Sequence, residues 1–280
     1  MITLGNDHIT LTLAPEFGAR VTALTDRASG RQWLVPGDCT GGATYLGDQA
    51  RGWDECFPTV APCDHPAWGG PLRDHGELWG RSWRISGDSA RCTATYDDRR
   101  FAFSRSLHLT GATVVADYKV TNRGDCVLPY LWSQHALLAT TPADRIVLHG
   151  VSAIRAQGQP VDWPNHRARD LSAVGTADDG FALKLYGEAQ NASRAEVSGR
   201  DAGIRFDWSG HDVPAFGLWL DYGGWPAGKP VHQVALEPTT AAADDLAQAE
   251  VMGRARQLAP GQSHVWSVRI TLTNSRSVPL

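Results

Sequence analysis

Apolar and polar residues alternate along most of this chain, and the alternation predicts strands. Ile9-Thr10-Leu11-Thr12-Leu13 alternates cleanly, residues 19–24 follow after Pro15 and Gly18, and residues 30–34 form a further strand after another turn. From residue 82 to 122 the pattern predicts a meander. Trp83 and Ile85, then Cys92, Ala94 and Tyr96, then Phe101 and Phe103, Leu107 and Leu109, and finally Val114, Ala116, Tyr118 and Val120 stand two apart. Gly87-Asp88, Asp97-Asp98 and Gly111 mark the reversals, and Asn122-Arg123-Gly124-Asp125 closes the run with turn chemistry. Later strands are predicted around Phe181, Leu183 and Leu185, at Ile204, Phe206 and Trp208 after a hairpin loop at 198–203, and over 216–220, 233–236 and 265–272. One helix is predicted at 243–252, with Leu246 and Val251 turned to a core. Residues 38–80 and 151–179 have no regular period and are rich in Gly, Pro, Trp, His and Asp, a composition that in long loops tends to carry function. No fixed-period repeat and no Pro- or Ser-rich linker appears. The expectation is an all-β protein, a large antiparallel β-sandwich formed as a single domain over 1–280.

Composition agrees. Hydrophobic residues are 42% and charged residues 20% of 280, which excludes a disordered chain. Glycine and proline together reach about 16%, against a usual ~12%, and favour many turns over long helices. A net charge of −4 carries no basic footprint for nucleic acid. No apolar run approaches the ~20 residues of a membrane span, and the first seven residues lack the charged and apolar regions of a signal peptide. The five cysteines, at 39, 56, 63, 92 and 126, are odd in number, scattered and without a C-x-x-C, so neither a disulfide framework nor a zinc knuckle is expected. The expected compartment is the cytoplasm. Lysine occurs only at 119, 184 and 229, the other basic residues being arginine, as a GC-rich genome would give.

Four polar islands carry the candidate chemistry. In Arg51-Gly52-Trp53-Asp54-Glu55-Cys56-Phe57-Pro58, two carboxylates beside an arginine and between aromatics suit a polar ligand with a flat apolar face, or a loop held by a local ion pair. In Asp74-His75-Gly76-Glu77-Leu78-Trp79, the His-Gly step allows close backbone approach to a ligand, and alternation would turn His75 and Glu77 to one side as metal ligands. His135, in Leu131-Trp132-Ser133-Gln134-His135-Ala136, reads as a core histidine or as a proton donor near neutral pH. Glu237, closing Val234-Ala235-Leu236 before Pro238, reads as a surface residue at a strand end or as a buried base.

In chain order these islands resemble the galactose mutarotase (aldose 1-epimerase) superfamily, in a divergent bacterial form. The resemblance runs through Arg51 with Phe57-Pro58, His75-Gly76, His135, and Leu236-Glu237-Pro238, with Trp83 eight residues after His75. The ends, Gly18-Ala19-Arg20 and Leu258-Ala259-Pro260-Gly261-Gln262, are similar too. The resemblance implies a many-stranded β-supersandwich that interconverts sugar anomers, with Glu237 as general base and His135 as general acid. It implies that Arg51, Asp54 and His75 bind substrate, and that Trp79, Trp132 or Trp225 stacks on a sugar face. No cofactor and no metal are implied. The expected partner is a monosaccharide or sugar derivative, with no nucleic acid and no membrane, the chain working as a monomer or homodimer. Trp79 stands where the phosphate-sugar branch has an arginine, and Asp54-Glu55 would repel an anion, so a phosphorylated substrate is disfavoured. Other readings stay open: a non-catalytic carbohydrate-binding paralogue; a hydrolase or lyase, with Glu55 and Glu237 as a carboxylate pair; and a metal-dependent isomerase using His75, Glu77 and His135.

Overall fold

The alternation is realised as one long antiparallel sheet. In a computed structural model, which describes residues 1–37, 39, 45 and 49–274, the strands lie in the order Ile2–Gly5, Ile9–Ala14, Arg20–Asp26, Trp53–Cys56, Ser133–Leu138, His232–Thr239, Ala215–Tyr222, Phe181–Ser198, Ala202–Trp208, Ser263–Asn274, Thr113–Asn122, Phe101–Thr110, Arg91–Asp97 and Arg84–Gly87. Arg145–Ala156 pairs beside this path with Phe181–Ser198. Strand twist makes so long a sheet curl, and its two halves pack face to face as a large antiparallel β-sandwich. Phe57 meets Phe103 at 5.5 Å across the core, Trp132 meets Trp266 at 4.8 Å, and Glu55 meets Arg105 at 2.8 Å.

The predicted meander from 82 to 122 is present, as four strands in antiparallel register. Three local expectations fail for physical reasons. Residues 30–34 make only isolated bridges, Thr25 to Gln32 and Leu34 to Leu138. There the Gln32 side chain accepts from the backbone N–H of Leu24 and of Leu34, donors that a continuous ladder would use. The helix is only Leu246–Val251, capped by Asp245 on the N–H of Gln248. Leu246 and Ala249 are buried, but Val251 is 90% exposed. Five residues on, a helix has turned about 140° from the side that Leu246 faces. Third, the aperiodic stretch 38–80 contains a central strand. Trp53–Cys56 is buried at every position, so it has no alternation to read. Among the described residues no helix is long and apolar enough to cross a membrane.

Candidate active site

Strand register assembles the site. Asp54 pairs with His135. The pairs Ser133–Thr239 and Ala136–Leu236 put His135 across from Glu237. Glu237 pairs with Gly217, and Gly217 with Tyr186. Residues level across a sheet share a face, so Asp54, His135, Glu237 and Tyr186 form one row on the face away from the core. The neighbouring row is Leu137, Ala235, Trp219 and Lys184. Gly217 leaves the row open: a Cβ there would stand 3.0 Å from Glu237 Oε2 and 3.3 Å from the Tyr186 ring. Over these rows lies a cleft of about 230 Å³, lined by His75, His135, Lys184, Trp219, Trp225, Gln233 and Glu237 among others. A hollow of about 460 Å³ adjoins it and shares Lys184, Trp219 and Asp244.

Glu237 is fully buried. Its Oε2 accepts from Lys184 Nζ at 2.5 Å and from Ser133 Oγ at 3.4 Å. Its Oε1 has no hydrogen-bond partner among the described residues. A buried polar atom left in this way costs about 1–3 kcal/mol, more when charged. Gln233 is also buried, with both amide atoms unpartnered among the described residues. His75 is buried, and its Nε2 is likewise unpartnered among the described residues. All three residues line the cleft, and a ligand rich in hydroxyl groups supplies the donors and acceptors that they lack.

His135 is held from behind. Its Nδ1 lies 3.3 Å from Asp54 Oδ1, and Asp54 Oδ2 lies 3.4 Å from Arg20. Burial pushes the Asp54 carboxyl up, but the hydrogen bond to His135 and the charges of His135, Arg20 and His75 outweigh it and hold the group below its usual range. An ionised Asp54 only accepts, so the proton of that bond sits on His135 Nδ1. Arg20 stacks over Trp79 at 4.2 Å and Phe17 at 4.8 Å. His75 bonds Asp74 through Nδ1 at 2.8 Å, stacks on Tyr45 at 3.9 Å and meets the His135 ring edge-on at 4.7 Å. Burial pushes its pKa down against the pull of Asp74. Trp225 and Trp219 stand edge to face at 6.1 Å. Asp221 Oδ1 accepts from the N–H of Gly224 and of Trp225 and so fixes that loop. Burial lifts Asp221 to about 6, against those two bonds.

Of the residues singled out in the sequence, His75, His135 and Glu237 meet in the cleft. Asp54 sits behind His135 and does not line the cleft. Arg51 does not line it either; its side chain packs over Gly37, where a Cβ would come within 2.3 Å of Arg51 Cγ. The buried arginine close to the site is Arg20. The two carboxylates 54 and 55 point to opposite faces, and Glu55 lies in the core. There it accepts from Trp53 Nε1, Arg105 and Tyr118 on Oε1 and from Trp132 Nε1 on Oε2. The hydrolase reading therefore loses one of its carboxylates, and Trp132 is removed as a sugar-stacking residue. Glu77 faces Arg73 and Arg81 at 3.5 and 3.1 Å. His75 and Gly76 are left-handed, with φ of 60° and 70°, which breaks the extended alternation that would have turned Glu77 beside His75. The close approach at Gly76 is to the Phe57 carbonyl, 2.1 Å from a notional Cβ.

Lys184, Arg20, Trp219 and Gln233 were not singled out for the site. Two signals were present. Lys184 is one of three lysines in an arginine-rich chain, and Gln233 and Glu237 are polar residues at even spacing on either side of the apolar run Val234-Ala235-Leu236.

No protein-family model matches the chain, and no curated protein matches its sequence. Solved structures do match over nearly the whole length. An Escherichia coli K12 protein provisionally named aldose 1-epimerase has a TM-score of 0.74 at 18% identity, over 97% of this chain and 98% of that one. A galactose mutarotase related enzyme from Lactobacillus acidophilus gives 0.71 at 17% identity, over 100% and 99%. A galactose mutarotase-like protein from Lactobacillus casei gives 0.70 at 17% identity, over 98% and 100%. At such identities the likeness is one of architecture, and the chain has the galactose mutarotase-like β-sandwich fold in a divergent sequence.

Proposed function

We propose that this chain is an aldose 1-epimerase, a mutarotase that interconverts the α and β anomers of a monosaccharide or sugar derivative. The reading rests above all on one observation: Glu237 lines a sugar-sized cleft with an Oε1 that is buried and unpartnered among the described residues, directly across the sheet from His135. In the proposed reaction Glu237 takes the proton of the anomeric hydroxyl. The electrons of that O–H bond form the C1 carbonyl, the bond from C1 to the ring oxygen breaks, and His135 delivers its proton to that oxygen. Rotation about C1–C2 presents the other carbonyl face, and reversal of the proton transfers closes the ring as the other anomer. This chemistry calls for a positioned base and acid and for no cofactor. Lys184 orients Glu237 through Oε2 and leaves Oε1 to the substrate. Asp54, behind His135, fixes the ring and stabilises its positive charge, with Arg20 securing Asp54 in turn. Gln233 and Nε2 of His75 bind hydroxyls, and Trp219 and Trp225 offer an apolar wall. The whole chain acts as one domain, and its scattered cysteines fit a reducing cytoplasm.

The test is magnetisation exchange between α and β anomers by NMR, across neutral, acidic and substituted aldoses. Acceleration over the uncatalysed rate by the wild type, lost in Glu237→Gln, is expected. Sugar binding with no acceleration for any aldose would replace this reading with the carbohydrate-binding one.

A further inference from the structure

The same strand that carries Asp54 places a second reactive group under the cleft. Cys56 lies two residues on, opposite Ser133, and so on the same face. It is completely buried. Ligand atoms of Cys56, His75 and His135 all lie within 4.8 Å of one another. In a tetrahedral zinc site, bonds of about 2.0–2.1 Å to nitrogen and 2.3 Å to sulfur put ligand atoms roughly 3.3–3.8 Å apart, so small torsional shifts close this triangle. Both histidines are already oriented as metal-ligating histidines commonly are. Asp74 holds Nδ1 of one ring and Asp54 holds Nδ1 of the other. Nε2 of His75, in a side chain more than nine-tenths buried, has no partner among the described residues. The surroundings favour a cation, since the carboxylates of Asp54, Asp74 and Glu237 stand against the fixed charges of Arg20 and Lys184. One thiol and two imidazoles form a donor set for a thiophilic transition-metal ion rather than for calcium or magnesium.

We propose that Cys56, His75 and His135 bind one thiophilic divalent cation of the zinc class, and that the bound ion switches off the sugar chemistry of the same cleft. Binding converts the Cys56 thiol to a thiolate and takes the acid proton from His135 Nε2, both protons leaving to solvent. Three protein ligands leave a fourth position open towards the cleft. With His135 held by the ion, its proton is no longer available to the ring oxygen. This inhibition rests on the proposed acid role of His135; the binding does not.

The test uses the full chain, stripped with a chelator and kept reduced with a phosphine, with Co²⁺ as the probe. One equivalent should give a near-ultraviolet thiolate-to-cobalt band together with visible bands of tetrahedral type, and Zn²⁺ should displace them. Cys56→Ser should abolish the ultraviolet band. It should also weaken binding by more than the ~10–100-fold typical of losing an outer-shell partner, while anomer exchange by the metal-free variant stays at the wild-type rate. Zn²⁺ should slow exchange in the wild type at concentrations that leave Cys56→Ser unaffected. If Cys56→Ser fails to fold, His75→Gln takes its place, with weakened binding expected. Absence of the thiolate band at one equivalent, or its persistence in the folded Cys56→Ser variant, overturns the site. A thiolate band in a protein whose metal-free form exchanges no anomers keeps the site and sinks the epimerase reading. Anomer exchange without metal binding does the reverse.

Discussion

Asp54 and Glu55 are consecutive, both buried, and opposite in almost every respect that matters. Glu55 points into the core, where both of its oxygens are bonded, by Trp53, Arg105 and Tyr118 on one side and Trp132 on the other. Asp54 points to the other face of the same strand, towards the histidines and the cleft. Burial pushes both carboxyls up. For Glu55 burial wins over the help of Arg105, Trp132 and Tyr118. For Asp54 the combined pull of His135, Arg20 and His75 wins over burial. On the core side Glu55 itself is closed, with both oxygens bonded, although the Gln134 amide paired opposite it and Arg105 Nε are buried without partners among the described residues. The cleft side is open, among the described residues, at Glu237 Oε1, His75 Nε2 and the Gln233 amide, and these three residues line the cleft. Buried polar groups that are satisfied hold a fold together; those left open are the ones to suspect of meeting a ligand.

The largest effects should separate the two sides most sharply. Glu237→Gln keeps the shape and removes the base, so kcat for anomer exchange should fall ~10²–10⁴-fold with sugar affinity and thermal midpoint nearly unchanged. His135→Asn should behave alike. Glu55→Gln should do the opposite, lowering the midpoint while the folded fraction keeps its exchange rate. If Glu55→Gln abolishes exchange in folded protein, the division between the faces is wrong. Next in size is Arg105→Met, which strands a buried carboxylate. Removing one partner of a buried pair costs about 3–5 kcal/mol, read as a shift of the urea midpoint. Adding Glu55→Gln to Arg105→Met should restore part of that loss, and a double variant no more stable than the single would show that the pair is not the source of the cost.

The two sides were unequally legible in the sequence. Strands with one face to water could be read from alternation, as between residues 82 and 122, and the strand that carries Glu237 was marked by a glutamate after an apolar run. Trp53–Cys56 could not be read, because burial on both faces erases the period. Without that strand, Asp54 and Glu55 looked like a pair facing one ligand. Side-chain direction also hid from the pattern wherever the backbone left the extended region, as at His75-Gly76, where Glu77 was turned away from His75. Arg51 is the arginine that adjoins Asp54 in sequence, and in the fold it packs over Gly37 instead. Arg20 comes to Asp54 only through the adjacency of the Arg20–Asp26 and Trp53–Cys56 strands, a pairing between distant segments that no local motif encodes.

A smaller effect tests how fully the core side is satisfied. Trp132→Phe removes the donor that Glu55 Oε2 has among the described residues and keeps most of the ring packing against Tyr118 and Trp266. A hydrogen bond to a charged group contributes about 1.5–3 kcal/mol. A loss of that order in urea unfolding, with the exchange rate unchanged, is expected. A large loss of exchange with little change in stability would return Trp132 to the substrate side.

The finest test is the acid limb of stability, where the two neighbours should pull in opposite directions. Asp54 has a folded pKa below its unfolded value of about 3.9. Its contribution is therefore present above that value and is lost as the pH falls through the folded pKa. Glu55 has a folded pKa above its unfolded value of about 4.3. Its contribution is present at low pH and is lost as the pH rises through the folded pKa. On acidification the wild type thus gives up the stabilisation from Asp54 while it regains that from Glu55. Asp54→Asn should flatten the fall in urea midpoint as the pH drops through about 4, because the losing partner is gone. Glu55→Gln should steepen it, because the compensating one is gone. Both variants also shift the curve as a whole, so the quantity to compare is its slope. Equal slopes in the wild type and both variants would mean that the two faces of the strand do not differ electrostatically, and that the open and closed sides must be told apart by hydrogen bonding alone.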